Sequence, residues 1–437
     1  MSTLNRRKFL QTTSAVTSGV AVVASARPGQ SAASADGRLV LGIIGCGGRG
    51  SGLAKSFASM SDIAYVCDPD RSRCESLREA VQAKAAVTDL RRVLDDKSVD
   101  AVVIATPDHW HAPAAILACQ AGKHVYVEKP CSHNLREGRL LVDAARHNNV
   151  TVQHGTQSRS RPLIANAVQL IREGVIGEVL IAKAWNIQRR RNIGHAQPSD
   201  PPPGVDYDSW VGPAEYLPHQ ANRFHYDWHW WYNFGTGDIG NDGTHEIDYA
   251  RWGLGVDGLP ATATATGGKY YFDDDQEFPD TATCAFEWPG DDSVGRRRQL
   301  IFEMRIWSTN FPYNCDSGAE FYGTAGRLFV SKRGKLEIYG ERNARIEGAE
   351  PKSPVQFAGN HQFDFVDAIR TGRKPTADIA IAHDSVALVH LANAAIRLGR
   401  SLQIDAEGES VIGDDEANQL LTRPYREGGH WAIPQGA

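Results

Sequence analysis

The chain is predicted to fold as an α/β domain on a doubly wound parallel sheet, followed by an α+β domain. Three observations carry that expectation. A glycine-rich turn sits between a strand and a helix near residue 45, strand and helix runs alternate to residue 153, and strand-like runs from 179 onward lack alternating helices. A length of 437 residues suits two or three domains, each able to bury a core. With 41% hydrophobic and 23% charged residues the composition excludes wholesale disorder. Lys+Arg number 47 against 52 Asp+Glu, a net charge of −5, which argues against nucleic acid as the main partner. The 7 cysteines are scattered without a C-x-x-C pair and read as buried thiols, neither a disulfide framework nor a zinc site.

In chain order, residues 1–35 read as an address. Arg6-Arg7 within Asn5-Arg6-Arg7-Lys8-Phe9-Leu10 precedes a mild apolar stretch, and Ala24-Ser25-Ala26 and Ala33-Ser34-Ala35 supply small residues for cleavage. This pattern predicts export by the twin-arginine translocase to the periplasm, with cleavage after Ala26 or Ala35. The apolar run is too short for a membrane span, and no other segment is expected to cross a bilayer.

Residues 38–44 form an apolar strand that enters Gly45-Cys46-Gly47-Gly48-Arg49-Gly50, with a helix expected over 49–60. Gly45 permits the tight turn, Gly47 clears space for a pyrophosphate, and Gly50 lets helix and strand pack closely. Gly48 and Arg49 open the helix, whose N-terminus offers free N–H groups to phosphate. A second strand over 62–67 ends at Asp68, at roughly the 20-residue spacing of a ribose-binding acid. That acid favours NAD over NADP, although Arg71 keeps NADP open. Alternation continues with helices at 72–82, 89–94, 112–121 and 135–148 and strands at 101–105, 124–127 and 150–153. Ligands in such sheets lie beyond the strand carboxyl ends, where the loops 106–111 and 128–130 emerge. Strands are then expected at 179–188, 261–266, 281–288, 299–307, 320–323 and 327–331.

The motifs Gly45 to Gly50, Thr106-Pro107 with His111, Ala121-Gly122-Lys123-His124 and Glu128-Lys129-Pro130 resemble those of the Gfo/Idh/MocA oxidoreductases, above all their exported twin-arginine branch. Asn241-Asp242-Gly243-Thr244-His245-Glu246-Ile247-Asp248 resembles the family's D-x-x-x-H-x-x-D stretch. The likeness extends through Gly323 to Val330, Asn360-His361 and His383 over nearly the whole mature chain. It implies a Rossmann domain over 36–156, and over 157–437 an α+β domain whose mostly antiparallel open sheet floors the pocket and mediates homo-oligomers. It also implies NAD(P)-dependent chemistry on a secondary hydroxyl of a sugar, polyol or glycoside. Thr106, Pro107, His111 and Glu128 are expected at the cofactor.

Hydride loss from a carbinol requires a group that removes the hydroxyl proton. Lys129 is the first candidate, since it follows a strand end and can hold the developing alkoxide. His245 matches the family histidine that shares proton transfer. Were the stretch one helix, Asp238, Asn241 and His245 would share a face. The family's aspartate is replaced by Asn241, an amide that positions but accepts no proton; Asp238 or Asp242 is left to compensate. Residues 219–234 are rich in Trp, Tyr and His, including His225, Trp228 and His229, and suit either a sugar face or interface packing. His225 and His229 lack a third ligand at metal spacing, so no metal is expected. Gln157, Arg159 and Arg161 either line the pocket or enter the next helix, and the triplets 189–191 and 296–298 read as solvated or intersubunit arginines. An exported dehydrogenase has no counted-on pool of soluble NAD, so a tightly bound cofactor loaded before export is expected. Net oxidation, redox-neutral glycoside cleavage and non-catalytic carbohydrate binding remain three alternatives.

Overall fold

The computed structural model describes residues 37–290 and 297–437. The expected leader and Arg296 lie outside the described residues. The first sheet has the strands β1 (Leu39–Ile44), β2 (Ser61–Cys67), β3 (Ala85–Val87), β4 (Ala101–Ile104), β5 (His124–Val127) and β6 (Val152–His154). All pair in parallel in the order β3-β2-β1-β4-β5-β6. Every residue of β1 is buried, as both faces of a parallel sheet require. The strand order reverses between β1 and β4, and the crevice for a ligand opens there. Helices α1 (Gly48–Ala58), α2 (Arg71–Val81), α3 (Arg91–Asp95), α4 (Asp108–Gln120) and α5 (Leu135–His147) connect these strands.

Helix α4 starts at Asp108, four residues before the sequence-based expectation, so most of the supposed loop 106–111 is helical. Pro113 lies inside it and cannot donate to the carbonyl of His109. Arg423, more than three hundred residues away, donates to that carbonyl at 2.8 Å instead.

The second domain follows α6 (Pro162–Arg172). Strands β7 (Val179–Ile187), β8 (Thr262–Gly268), β9 (Thr281–Trp288), β10 (Arg298–Arg305), β11 (Ser317–Gly323), β12 (Gly326–Ser331), β13 (Lys335–Tyr339), β14 (Arg345–Ile346), β15 (Leu402–Asp405) and β16 (Ser410–Val411) form one open sheet. Their order is β14-β13-β12-β11-β7-β10-β9-β8-β15-β16, antiparallel except between β7 and β10. The remaining helices are α7 (Tyr207–Val211), α8 (Gly237–Asn241), α9 (Gly243–Leu254), α10 (His361–Thr371), α11 (Ile379–Leu398) and α12 (Asp415–Leu420).

The domains are not sequential blocks. Phe365 and Val366 of α10 pack into the first sheet's core with Phe57 and Tyr126. Helix α11 lies between the layers: Ile379, Ala382 and Val386 join the first core, and Leu388, Leu391 and Ala395 join the second. This 20-residue helix has the length and apolar composition of a membrane span, contrary to the expectation that no further segment would, but it is mostly buried between the layers. All seven cysteines are buried and free.

A buried ion pair ties the layers together. Arg159, after β6, donates to both carboxylate oxygens of Asp248 on α9 at 2.8 and 2.9 Å, and Ser385 of α11 adds a third bond at 2.8 Å. Asp248→Asn leaves a buried guanidinium uncompensated, and denaturant unfolding is expected to show a loss of about 3–5 kcal/mol. Buried histidines set the acid response. Burial pushes His109 and His111 of α4, and His390 of α11, down to about 3, about 4 and about 3. Below about pH 6.5 the unfolded chain binds protons there that the native chain refuses. The stabilisation is therefore complete above pH 6.5 and falls by about 1.4 kcal/mol per histidine per pH unit on acidification towards pH 4. Urea midpoints at pH 7, 6 and 5 are expected to fall in that order, and equal midpoints would contradict the assignment.

Candidate active site

The glycine turn needs its glycines for two reasons. Gly45 has φ +94°, and a Cβ there would lie 2.5 Å from the carbonyl oxygen of Ala105. A Cβ on Gly50 would lie 1.8 Å from the oxygen of Gly45. Gly48 is different: a Cβ there would meet nothing within 4 Å, and at Gly47 it would meet only the Arg73 guanidinium. The space above these two residues is open for a ligand, and α1 begins there without a side-chain cap. Asp68 ends β2 and fixes the turn, its carboxylate accepting N–H bonds from Cys46 at 2.7 Å and Asp70 at 2.9 Å. Thr106 Oγ1 is buried without a protein partner among the described residues. An open glycine cradle, an uncapped helix and an unpartnered hydroxyl are the parts a dinucleotide pyrophosphate and its neighbouring ribose need, so the residues fit NAD.

These groups line one cavity of about 730 Å³ that runs across the domain boundary. Glu128, after β5, accepts from Arg49 at 2.6 Å and Gln157 at 3.1 Å, closing the loop against the glycine turn. His111 spans the two loops, with Nδ1 2.6 Å from the Pro130 oxygen and Nε2 2.9 Å from the Thr106 oxygen. At the opposite end Arg73, rather than Arg71, reaches the cavity. The segment between β7 and α8 folds over this end: Asp206 N–H donates to the Pro69 oxygen at 3.0 Å and His225 lies 3.1 Å from Asp70. The chain's last turn adds Trp431, which the Arg91 guanidinium covers at 4.6 Å.

Lys129 and Asn241 meet in this cavity. Lys129 Nζ donates to both the main-chain oxygen and Oδ1 of Asn241, the latter at 3.0 Å. Asn241 Nδ2 donates to Asp238 at 2.9 Å. Asp238 also accepts from Asn186 and Arg190 at 2.9 Å each, and Asp242 accepts from Arg190 and Gln188. Although burial opposes ionisation, the Lys332, Lys129 and Arg190 cations hold the Asp242 carboxyl well below the usual carboxylate range. Arg190 belongs to a triplet read from sequence as solvated or intersubunit, and its place between two carboxylates was invisible without the fold.

His245 does not join the cavity wall. The expected single helix is interrupted at Asp242, which separates α8 from α9. Gly243 opens α9 where a Cβ would strike the ring of Phe302 at 2.5 Å, so the backbone packs closely on β10 there. His245 Nδ1 is buried without a partner, and burial with Lys332 and Lys129 holds the imidazole well below its ordinary range. The next residue, Glu246, lies 2.9 Å from Lys332, and burial pushes its carboxyl up to about 7.

Of the expected substrate residues, His225 and Trp228 line the cavity; Gln157, Arg159 and Asp242 do not. Gln157 is engaged with Glu128 and Tyr126, and Arg159 is spent on Asp248. The aromatic stretch divides between a local core and the cavity. Trp230, Trp231 and Phe234 form a core with Tyr207 and Trp210, whereas Tyr226, Trp228 and His229 face the cavity. No group of three metal-ligating side chains occurs among the described residues.

Residues 39–156 match the oxidoreductase family model for an NAD-binding Rossmann fold, and residues 181–275 and 323–433 match the same family's C-terminal alpha/beta domain. The chain is 30% identical over 227 residues to a levoglucosan dehydrogenase of Pseudarthrobacter phenanthrenivorans, covering 50% of this chain and 51% of that one. It is 30% identical over 217 residues to a glycosyl hydrolase family 109 protein of Shewanella pealeana, covering 43% and 47%. The chain thus spans about half the length of these curated relatives. A solved levoglucosan dehydrogenase in complex with NADH and L-sorbose superposes with a TM-score of 0.64 over 84% of this chain and 98% of that one, at 19% identity, which shows the shared fold. With both family domains matched across most of its length, the chain belongs to the Gfo/Idh/MocA oxidoreductase family and carries its NAD-binding domain.

Proposed function

We propose that the protein oxidises a secondary hydroxyl of a small sugar, polyol or glycoside, with Lys129 as the group at the reacting oxygen. One observation carries this reading: Lys129 and Asn241 close one wall of the same cavity in which the glycine turn and Thr106 form the dinucleotide cradle. NAD, when bound, supplies the hydride acceptor. The two Asn241 oxygens fix Nζ by occupying two of its donors, which leaves its remaining valence for the substrate hydroxyl. Asn241 is then a positioning residue, and the Asp238–Arg190 network behind it prevents drift. Trp228 and Tyr226 offer apolar ring faces for sugar C–H groups, and the sugar-active relatives support a carbohydrate.

The proposal includes location. The twin arginines predict export, which favours a cofactor loaded before translocation and retained. The segment from 204 to 225 and the Trp431 turn cover the Asp68 end of the groove, which suits retention. The outer face of the large sheet is proposed as a homo-oligomer contact.

The identity to the family 109 hydrolase relative favours a second reading, redox-neutral glycoside cleavage. There, oxidation at C3 acidifies the C2 proton, the aglycone leaves, water adds and the ketone is reduced again. Lys129 serves either course.

Denaturing the purified protein is expected to release NAD without any having been added. Incubation with a panel of sugars, polyols and aryl glycosides then separates the readings. A rise in nicotinamide absorbance without aglycone identifies the dehydrogenase, and aglycone release without net absorbance change identifies the hydrolase. Lys129→Ala is expected to lose at least about 10²-fold in turnover while retaining NAD. Neither signal with any panel member, or full activity in the variant, would overturn the proposal.

A further inference from the structure

A polyol brings hydroxyl groups that donate as well as accept, and the Lys129 ammonium can only donate. The acceptors beside it are spent on protein partners. Asn241 Oδ1 takes the Lys129 ammonium, Glu128 takes Arg49 and Gln157, and Asp108 takes the Thr236 hydroxyl and main chain. His229 is different. Its Nδ1 lies 2.5 Å from the main-chain oxygen of Tyr226. A carbonyl oxygen only accepts, so Nδ1 carries the proton and Nε2 is left as a bare lone pair. Nε2 has no partner among the described residues. Unlike Nδ1 of His245 it is not sealed in the interior, because His229 lines the cavity that holds Lys129 and Asn241.

The ring is held as well as aimed. His229 sits in the 3₁₀ turn Asp227–Trp230, its ring stacked on Trp228 at 3.6 Å and 4.7 Å from the ring of Tyr226. Gly235 packs on the backbone of His229, where a Cβ would lie 2.4 Å from the His229 carbonyl oxygen. Tyr226 also meets the Asn241 side chain, which ties this turn to the Lys129 wall. Burial, and then the Lys129 charge, push the imidazole down to about 3, against the bond to Tyr226. The ring therefore stays neutral and its lone pair stays available.

We propose that His229 is a specificity-determining residue whose Nε2 accepts a hydrogen bond from a second substrate hydroxyl, next to the one that Lys129 holds. The proposal rests on the hydride-transfer reading above and narrows its substrate to one with a free hydroxyl on the carbon beside the oxidised one. An analogue without that hydroxyl leaves Nε2 unpaired in a closed cavity, so the site tells a polyol from a simple secondary alcohol. The second hydroxyl keeps its proton. His229 orients the substrate, and Lys129 acts at the reacting oxygen.

The test uses the NAD-loaded protein with the panel above, including myo-inositol, D-glucose and levoglucosan, each beside its monodeoxy analogues. The wild type is expected to prefer the sugar that turns over to one of its analogues by at least about 10-fold in kcat/KM. His229→Phe keeps a stacked ring without the lone pair, and this ratio is expected to collapse towards one. His229→Gln returns an acceptor oxygen and is expected to restore part of the ratio. A readout without turnover comes from ¹⁵N-histidine-labelled protein loaded with NADH, in which the sugar binds without being oxidised. The Nε2 resonance of His229, identified as the one missing from both variants, is expected to shift with the sugar and not with the analogue. An unchanged ratio in His229→Phe overturns the proposal, as does an equal loss on sugar and analogue, or a resonance that the sugar leaves in place. In each of those cases the hydride-transfer reading stands. If the wild type oxidises no panel member, that reading falls, and the proposal with it.

Discussion

Lys129 hangs from the first sheet and is held by two oxygens of Asn241, which belongs to the second domain. The remaining site geometry depends on this crossing bond. A lysine side chain alone samples many rotamers, and fixing its Nζ from a second domain converts a mobile cation into an oriented one. The cost of that arrangement is a rigid interface. Arg159, Asp248 and Ser385 supply it in the interior, and α11 supplies it as a shared apolar layer.

Charge is arranged around the same point. Arg190 pairs with Asp238 and Asp242 and Lys332 with Glu246, while Lys129 is held by the neutral Asn241. His245 sits among these cations and stays neutral. A second positive charge would repel the Lys129 ammonium, so a neutral imidazole is the state compatible with the rest of the site.

Much of this was legible in the chain. Gly45, Gly50, Asp68 and Lys129 act through the backbone next to them, so local pattern sufficed for the glycine turn, the strand ends and the parallel sheet. What escaped depends on partners far away in sequence. In helix α4 Arg423 satisfies a carbonyl that Pro113 abandons, and no local rule contains that arginine. At the break at Asp242, Gly243 packs against the ring of Phe302, a residue far along the chain that the local pattern does not contain. Arg190 read as solvated or intersubunit because its two carboxylates arrive some fifty residues later. Strands β3 and β13 to β16 are short and draw their stability from neighbours in the sheet rather than from their own pattern.

The central claim is that a carbon-bound hydrogen of the substrate passes to the dinucleotide held in this cavity. It is tested most directly by incubating the purified protein with polyols deuterated at the carbinol carbon and weighing the cofactor released on denaturation. The account predicts a nicotinamide heavier by a single deuterium with the substrate that turns over. Product formation with no deuterium ever found in the cofactor would contradict it.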